Sequence, residues 1–386
     1  MLLIHLSPHK YYNLPTVPFL PDYLQKLWYG DRCSHNSNAT SHATNLYSRW
    51  NLSTSNTNCS RTGAFDGEAN AEFGDDSAYI GLLLGSKAFV QLLSNPIVGP
   101  LSNRVGYTAP MFFGFVILFI STLTFAFAES YSMLMLARAI QGMASACCST
   151  CGLGMLAQVY TDSKERGAAL SIALGGLALG VLFGFPFGGF LYDLSGKTLP
   201  FFILAAVALM DAVLQLIFLP PKIGRQEIKG ASLLKLLSDP YILITALGIV
   251  FACFCISMLE PTLPLWMKEA MGASPSTIAL LFVPVTAAYL FGVHIFGPIA
   301  HKIGRWLLAF LGLLTCGIFD AVIFPEMGNI VDLRHVGVYG SVYSIADAAV
   351  CCAFAFEMKY AYKGCFQNKG FLNRFNNLEA FQENGL

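Results

Sequence analysis

Four ionisable side chains stand out inside the long apolar runs of this sequence. They are Lys87, Arg138, Glu260 and Asp347. A charged side chain costs about 2.5–3.5 kcal/mol at the centre of a bilayer, so a charge in such a run indicates a functional role. A buried carboxylate can bind a proton on one side of a membrane and release it on the other, because burial and nearby cations change its proton affinity. A cationic amine can replace that proton, and aromatic rings can hold its ammonium group.

The apolar runs that carry these charges are long enough to cross a membrane. The chain has 386 residues, of which 55% are hydrophobic and 12% charged, whereas soluble domains have about 25% charged residues. A spanning helix needs about 20 mostly apolar residues. The sequence therefore predicts an all-α, polytopic bundle of transmembrane helices with nine candidate spans, near 78–98, 109–128, 131–154, 168–190, 199–219, 240–262, 277–299, 306–324 and 337–356.

A polar loop over about residues 30–77 precedes the first span. It contains three glycosylation acceptor triplets, which begin at Asn38, Asn51 and Asn58. These triplets favour a lumenal or extracellular loop. On that side of the membrane, Cys33 and Cys59 could form a disulfide.

The basic residues of the short loops predict the same orientation. Successive short loops lie on alternate faces of the predicted bundle, and the loops on one face carry only Lys197 and Lys268. The richer set is expected on the cytoplasmic face, and it contains Arg104, Lys164, Arg166, Lys222, Arg225, Lys229, Lys235, Lys302 and Arg305.

Two similar stretches follow apolar runs in different parts of the chain. GPLSNRVG spans residues 99–106 and GPIAHKIG spans residues 297–304. Each contains a glycine for a tight turn and a basic residue for the cytoplasmic face. We call them the first and second hinge, and their spacing predicts two related halves of one bundle.

Several classes of protein are disfavoured. The formal net charge is zero, which gives no reason to expect a nucleic-acid partner. The remaining cysteines lie in apolar runs or the tail and are expected to pack as small hydrophobes. No CxxC pair is matched by a second one, so neither zinc nor another metal is expected. No nucleophile–base pair or phosphate loop indicates an enzyme or a cofactor. A seven-span receptor with Asp-Arg-Tyr at a helix end is also disfavoured.

Both hinges resemble the loop signature of the major facilitator superfamily, although Asn103 and His301 stand where that signature has Asp. GVLFGFPFGG (180–189) resembles the proton-antiporter motif of the same superfamily. The chain also resembles the vesicular amine transporters more narrowly. Six stretches carry this resemblance: GLLLGSKAFVQLLSNP (81–96), LARAIQG (136–142), VYTDSKERG (159–167), MLEPTLPLWM (258–267), AHKIGRW (300–306) and VDLRHVGVYGSVYSIAD (331–347). Within that family, GGLALGV and AYLFGVHIFG favour the monoamine branch.

The resemblance implies roles for the four buried charges. Lys87 matches a lysine that pairs with an aspartate, here Asp347. Arg138 matches an arginine tied to proton coupling, and Glu260 matches a glutamate that contacts substrate. A structural buried pair is the alternative role for these charges.

The resemblance also implies roles for uncharged and weakly basic side chains. Tyr289 matches a tyrosine beside the site, and His335 matches a histidine implicated in proton translocation. Tyr339 and Tyr343 flank that histidine region. Cys253 stands where the family has an asparagine near the substrate, so that contact is not expected.

By resemblance, the chain would be a proton-coupled antiporter that loads cytosolic monoamines such as serotonin and dopamine into acidic secretory or synaptic vesicles. It would depend on the bilayer, on a vesicular proton pump and on no cofactor. A vesicular acetylcholine transporter and a truncated, non-transporting form are the alternatives.

The chain departs from the twelve-helix pattern of the family. Only TVPFLPDYL resembles part of the first helix. FPEMGNI resembles the end of the ninth helix and VDLRH the entrance to the eleventh, which predicts that the tenth helix and its aspartate are missing between Ile330 and Val331. The last span would then start on the wrong side and keep Asp347 from Lys87, unless it stays on the cytoplasmic side as an unpaired hairpin.

These features divide the chain into six expected regions. They are a remnant of the first helix with a divergent N-terminus (1–29), a lumenal loop (30–77), a first helical half (78–221), a cytoplasmic linker (222–239), an incomplete second half (240–356) and a divergent tail (357–386).

Overall fold

A computed structural model describes residues 66–196, 198–219, 232–272, 275–312, 316–335 and 337–366. The all-α prediction is confirmed, because these residues form eleven helices and no strand. In chain order the helices are α1 Asp66–Val105, α2 Thr108–Phe127, α3 Tyr131–Val159, α4 Ser163–Ser195, α5 Thr198–Phe218, α6 Leu233–Leu237, α7 Pro240–Met271, α8 Pro275–Ile303, α9 Arg305–Gly312, α10 Cys316–Arg334 and α11 Gly340–Phe366.

Five of these helices are long and apolar enough to cross a membrane, and they coincide with the first five predicted spans. They are Gly81–Val105, Thr108–Phe127, Tyr131–Val159, Ser163–Tyr192 and Thr198–Phe218. Three later predicted spans coincide with shorter apolar helical segments, Pro240–Phe254, Val283–Gly297 and Gly340–Ala355. The polytopic arrangement therefore follows the uninterrupted apolar runs of the sequence.

Helices α1, α2, α3 and α5 form the core of the first half. Phe115 and Leu118 of α2 are fully buried in an apolar cluster with Leu204 of α5. The rings of Phe125 and Phe201 stack with centroids 5.3 Å apart. Ser130 caps the start of α3, because its hydroxyl accepts a hydrogen bond from the backbone N–H of Met133 in the first turn.

The two hinges occupy equivalent positions in the bundle. Their first glycines, Gly99 and Gly297, lie where α1 packs along α11 and α8 packs along α4. A Cβ atom on Gly99 would collide with the hydroxyl of Ser344, and one on Gly297 with the hydroxyl of Ser171. Their last glycines, Gly106 and Gly304, have φ values of 96° and 107°, which allow the turn after each helix.

The predicted span over residues 306–324 is wrong, because the structure divides it between α9 and α10. Nη1 of Arg305 lies 3.2 Å from Oε2 of Glu326, although the two residues are 21 positions apart. On one straight helix they would be about 30 Å apart. The two helices therefore form an antiparallel hairpin, and the eight residues of α9 reach only about 12 Å into a hydrocarbon core of about 30 Å.

Both ends of this hairpin lie at the same end of the bundle. At its start, Nη2 of Arg305 donates to the carbonyl oxygen of Ser163, the first residue of α4, at 2.9 Å. At its finish, Nε of Arg334 donates to Oδ2 of Asp239, immediately before α7, at 2.7 Å. Helix α11 therefore starts from the side that the twelve-helix pattern requires. The prediction that the last span starts on the wrong side is therefore wrong, because the α9–α10 hairpin returns the chain to the end from which it left. The absence of the tenth helix stays a prediction.

Candidate functional site

A buried carboxylate on α11 is held by two amides of α1. Asp347 is 5% exposed, and its Oδ2 accepts hydrogen bonds from Nε2 of Gln91 at 2.8 Å and from Nδ2 of Asn95 at 2.7 Å. The hydroxyl of Thr150 on α3 donates to Oδ1 of Asn95 at 3.4 Å, which fixes the orientation of that amide. Two donors on one carboxylate oxygen stabilise its ionised form.

Lys87 belongs to the same cluster. It is 3% exposed and precedes Gln91 by one helical turn, so the two side chains share a face of α1. Cys351, one turn after Asp347, lies within electrostatic range of both Lys87 and Asp347. The prediction that Lys87 and Asp347 lie on separate sides is therefore wrong, because the α9–α10 hairpin restores the direction of α11.

Arg138 lies one turn from this cluster on α3. It is fully buried, its Nη1 donates to Oε1 of Gln141 at 3.1 Å, and its guanidinium lies 5.1 Å from the centroid of the Phe125 ring. Gly142, four residues later, packs against the backbone carbonyl of Lys87. The structure therefore places the predicted proton-coupling arginine beside the α1–α3 crossing.

Tyr289 contacts a carboxylate that the sequence analysis missed. Its hydroxyl donates to Oδ2 of Asp320 on α10 at 2.8 Å, and Asp320 is 7% exposed. Asp320 lies in the apolar run CGIFDAVIF, so the criterion that selected Asp347 would also have selected it. It was missed because this run was interpreted as the ninth helix and the aspartate of the tenth was expected to be absent.

The predicted tyrosine pair lies where the first half meets the second, at the end of the bundle that carries Arg166, Arg305 and Arg334. We call it the basic end. Arg166 of α4 is 1% exposed, forms a 2.6 Å ion pair with Asp332 of α10 and donates to the hydroxyl of Tyr339 at 3.2 Å. Burial and the hydrogen bond to Asp332 raise the pKa of Tyr339 to about 12. The hydroxyl of Tyr343 donates to the carbonyl oxygen of Phe324 at 3.2 Å. These contacts join α4, α10 and α11.

The first hinge contacts the start of α11 without the aspartate of the superfamily signature. Asn103 donates through Nδ2 to the hydroxyl of Ser341 at 2.8 Å. The hydroxyl of Tyr107 donates to Oδ1 of Asn103 at 3.3 Å and accepts from the N–H of Gly340 at 3.0 Å. Burial raises the pKa of Tyr107 to about 12, so its hydroxyl remains a donor. Neutral groups therefore satisfy this helix start.

His335 also lies at the basic end rather than in the Asp347 cluster. Its Nε2 is 2.9 Å from Oδ2 of Asp239, which also accepts from Arg334. Burial opposes ionisation of Asp239, but hydrogen bonds from Arg334, from the backbone N–H of Tyr241 and from His335 outweigh it and hold the pKa of Asp239 below its ordinary value. A role for His335 in proton movement stays a prediction.

The remaining predicted residues lie on α7 or before α1. Glu260 lies within α7. The acceptor triplets at Asn38, Asn51 and Asn58 and the pair Cys33 and Cys59 lie outside the described residues, so glycosylation and the disulfide stay predictions. Among the residues that the structure does describe, no group of three or more His, Cys, Asp or Glu could hold a metal.

Comparison with known proteins decides the family. Residues 52–359 match the family described as Major Facilitator Superfamily. The chain belongs to the major facilitator superfamily. Among solved superfamily structures, the fold is similar to the human organic anion transporter MFSD10 (TETRAN), with a TM-score of 0.62 and 18% identity over 95% of this chain and 94% of that chain. It is also similar to the proton:xylose symporter XylE, with a TM-score of 0.66 and 15% identity over 97% and 90%.

Relatives in sequence include transporters of vesicles and granules. The chain is 49% identical over 309 residues to the synaptic vesicular amine transporter of Mus musculus, covering 73% of this chain and 60% of the relative. It is 48% identical to the chromaffin granule amine transporter of Rattus norvegicus, with 73% and 59% covered. It is 37% identical to the vesicular acetylcholine transporter of Torpedo marmorata, with 73% and 61% covered. The chain thus spans about 60% of the length of these relatives.

Proposed function

We propose that this chain is a proton-coupled antiporter that loads cytosolic monoamines into acidic vesicles. The observation that carries the proposal is the pair of buried carboxylates, Asp347 and Asp320, each of which receives hydrogen bonds from a neighbouring helix. The greater identity to amine transporters, 49% against 37% for the acetylcholine transporter, favours a monoamine over acetylcholine.

The two carboxylates have different surroundings and would have different roles. Asp347 has two amide donors and shares its cluster with Lys87, which suits a permanently charged group. Asp320 accepts from Tyr289, and its chain neighbours Phe319 and Ala321 are buried and apolar. A proton and an ammonium group would compete for Asp320, and this competition would couple the two fluxes.

The basic end would open and close during exchange. Arg166 and Ser163 of the first half contact Asp332, Tyr339 and Arg305 of the second. These contacts close the predicted cytoplasmic side in the described state. Amine access from the cytosol would require them to separate, and proton binding in the acidic lumen would favour the return.

Uptake into proteoliposomes tests the proposal. The purified full chain is reconstituted in liposomes with an acidic interior, and radiolabelled serotonin is added outside. We expect uptake that disappears when nigericin collapses the pH gradient and in Asp320→Asn. Liposomes without a gradient are the control. Uptake no greater than in empty liposomes would contradict the proposal.

Two alternatives are distinguished by the same preparation. Labelled acetylcholine replaces serotonin to test the cholinergic alternative. The length of the chain relative to its relatives keeps a non-transporting form as a second candidate. That form would show no uptake and would co-purify with a full-length amine transporter when the two are expressed together.

A further inference from the structure

Asp211 is a buried acid that the proposed transport site does not use. It lies on α5 and is 2% exposed. Helix α5 packs on α2, and the surrounding core of the first half includes Phe115, Ala208 and Ala212. A carboxylate in such surroundings is stable only if a cation, hydrogen-bond donors or a bound proton offsets the loss of water.

A second buried acceptor lies one helical turn away. Gln215 is fully buried, and its Nε2 donates to the carbonyl oxygen of Thr108 at 2.7 Å. Among the described residues, no donor reaches either Oε1 of Gln215 or Oδ1 of Asp211. Residues four positions apart share a face of a helix, so two acceptors face the same region without a donor.

The helices that pack on α5 provide no cation at this position. Helix α2 carries no ionisable side chain. On α3, the thiol of Cys148 lies within electrostatic range of Asp211. Arg138 lies ten positions before Cys148 and over the ring of Phe125. The described ionisable side chains of α4 lie near its two ends, and they are Lys164, Glu165, Arg166 and Tyr192.

We propose that Asp211 binds a proton and that its O–H donates to Oε1 of Gln215. One proton would remove the buried charge and give both acceptors a partner. Because this site lies in the core of the first half, its proton would hold α5 in place and would not exchange during transport. The chain would therefore carry a structural proton in addition to the proton that drives exchange.

Infrared spectroscopy of the full chain in lipid, with ¹³C-labelled aspartate, tests the proposal. We expect a protonated-carboxyl C=O band that Asp211→Asn removes and that Asp347→Asn leaves unchanged. The band should move to higher frequency in Gln215→Met, because the acid loses its acceptor. It should remain unchanged when the buffer changes from acidic to mildly alkaline and when serotonin is added.

Two results would overturn the proposal. One is a protonated-carboxyl region that is the same in wild type and Asp211→Asn. The other is a band that disappears as the buffer becomes mildly alkaline. The melting temperature gives an independent readout. Asp211→Asn keeps a donor for Gln215 and should melt at the same temperature as wild type. Asp211→Leu removes the donor and should melt at a lower temperature. If Asp211→Asn does not fold, the donor is not replaceable as proposed and the Gln215→Met band shift decides.

Discussion

Tyr289 and Asp320 join α8 to α10 through a hydrogen bond of 2.8 Å. Helix α10 runs antiparallel to the short α9, and this arrangement places Asp320 next to Tyr289 of α8. A phenol donor stabilises the charged form of a carboxylate, and it is the charged form of Asp320 that would bind the ammonium group. The pair is therefore the part of the site most directly tested by a single substitution.

Tyr289→Phe should weaken amine uptake while leaving the fold intact. A hydrogen bond to a charged group contributes about 1.5–3 kcal/mol, which corresponds to roughly a 10- to 100-fold loss in apparent affinity. Serotonin concentration dependence in proteoliposomes measures it. Tyr160→Phe, at the basic end, is the matched control and should behave as wild type. Equal losses in both variants would argue against a specific role for Tyr289.

Removing the amide donors of Asp347 should destabilise the protein. Gln91→Leu or Asn95→Leu leaves a buried carboxylate short of one hydrogen bond, at a cost of about 1–3 kcal/mol. Thermal melting in detergent is the measurement. Leu93→Ile changes a half-exposed side chain of the same helix and should melt as wild type does. If the amide variants also match wild type, Asp347 does not depend on them.

Asp332→Asn should loosen the basic end. The change leaves the buried guanidinium of Arg166 without its ion pair, and because Asp332 is 34% exposed we expect a cost of about 1–3 kcal/mol, below that of a fully buried pair. The distribution of distances between spin labels at Glu165 and Leu333, two exposed positions on the two halves, should broaden in this variant. Lys164→Gln, an exposed charge on the same turn, should leave the distribution narrow. An unchanged distribution in Asp332→Asn would contradict closure by this ion pair.

Acid should remove the contribution of Asp239 to stability. The pKa of Asp239 is lower in the folded protein than in the unfolded chain, so its stabilisation is complete above the ordinary pKa and is lost as pH falls through the folded value. Melting curves of Asp239→Asn should therefore differ from wild type at neutral pH and converge with it in acid. Recording both melting curves in a His335→Gln background as well isolates the contribution of Asp239. Divergence on acidification would reverse the sign and refute the argument.

Gly340→Ala should destabilise the contact between α1 and α11. The added Cβ would lie 2.9 Å from the backbone oxygen of Gly99, which cannot move aside as a side chain can. We expect a loss of about 1–3 kcal/mol from overpacking. Gly167→Ala has no atom within 4 Å of the new Cβ and should stabilise α4 by up to about 1 kcal/mol. Melting temperatures of the two variants should therefore move in opposite directions.

The sequence predicts the first half of this fold well. Each of its spans is an uninterrupted apolar run, and hydrogen-bonding requirements in lipid leave such a run little choice but a helix. Lys87, Arg138 and Asp347 could be found for the same reason, since a charge within an apolar run is conspicuous. The closeness of Lys87 and Asp347 depends on the direction of every intervening helix. Because residues 306–324 were predicted to form one complete span, the expected direction of α11 was reversed and the two residues were expected on opposite sides.

The hairpin of α9 and α10 could not be predicted from apolarity. Residues 306–324 form one continuous apolar run, and composition does not reveal whether such a run crosses the membrane or turns back. The deciding contact, Arg305 with Glu326, joins residues 21 positions apart. The ion pair of Arg166 and Asp332 likewise depends on packing between distant helices. Local patterns specify helices, whereas such contacts specify how the helices are arranged.

The glycine–serine contacts at Gly99 and Gly297 affect how easily the two halves can rock. Both crossings bring a helix backbone against a small hydroxyl side chain, so few long side chains interlock there. One half could pivot over the other with little change of rotamer. If the chain transports as proposed, the barrier to turnover would reside chiefly in the ion pairs of the basic end, and salt concentration should change the rate of exchange more than membrane fluidity does.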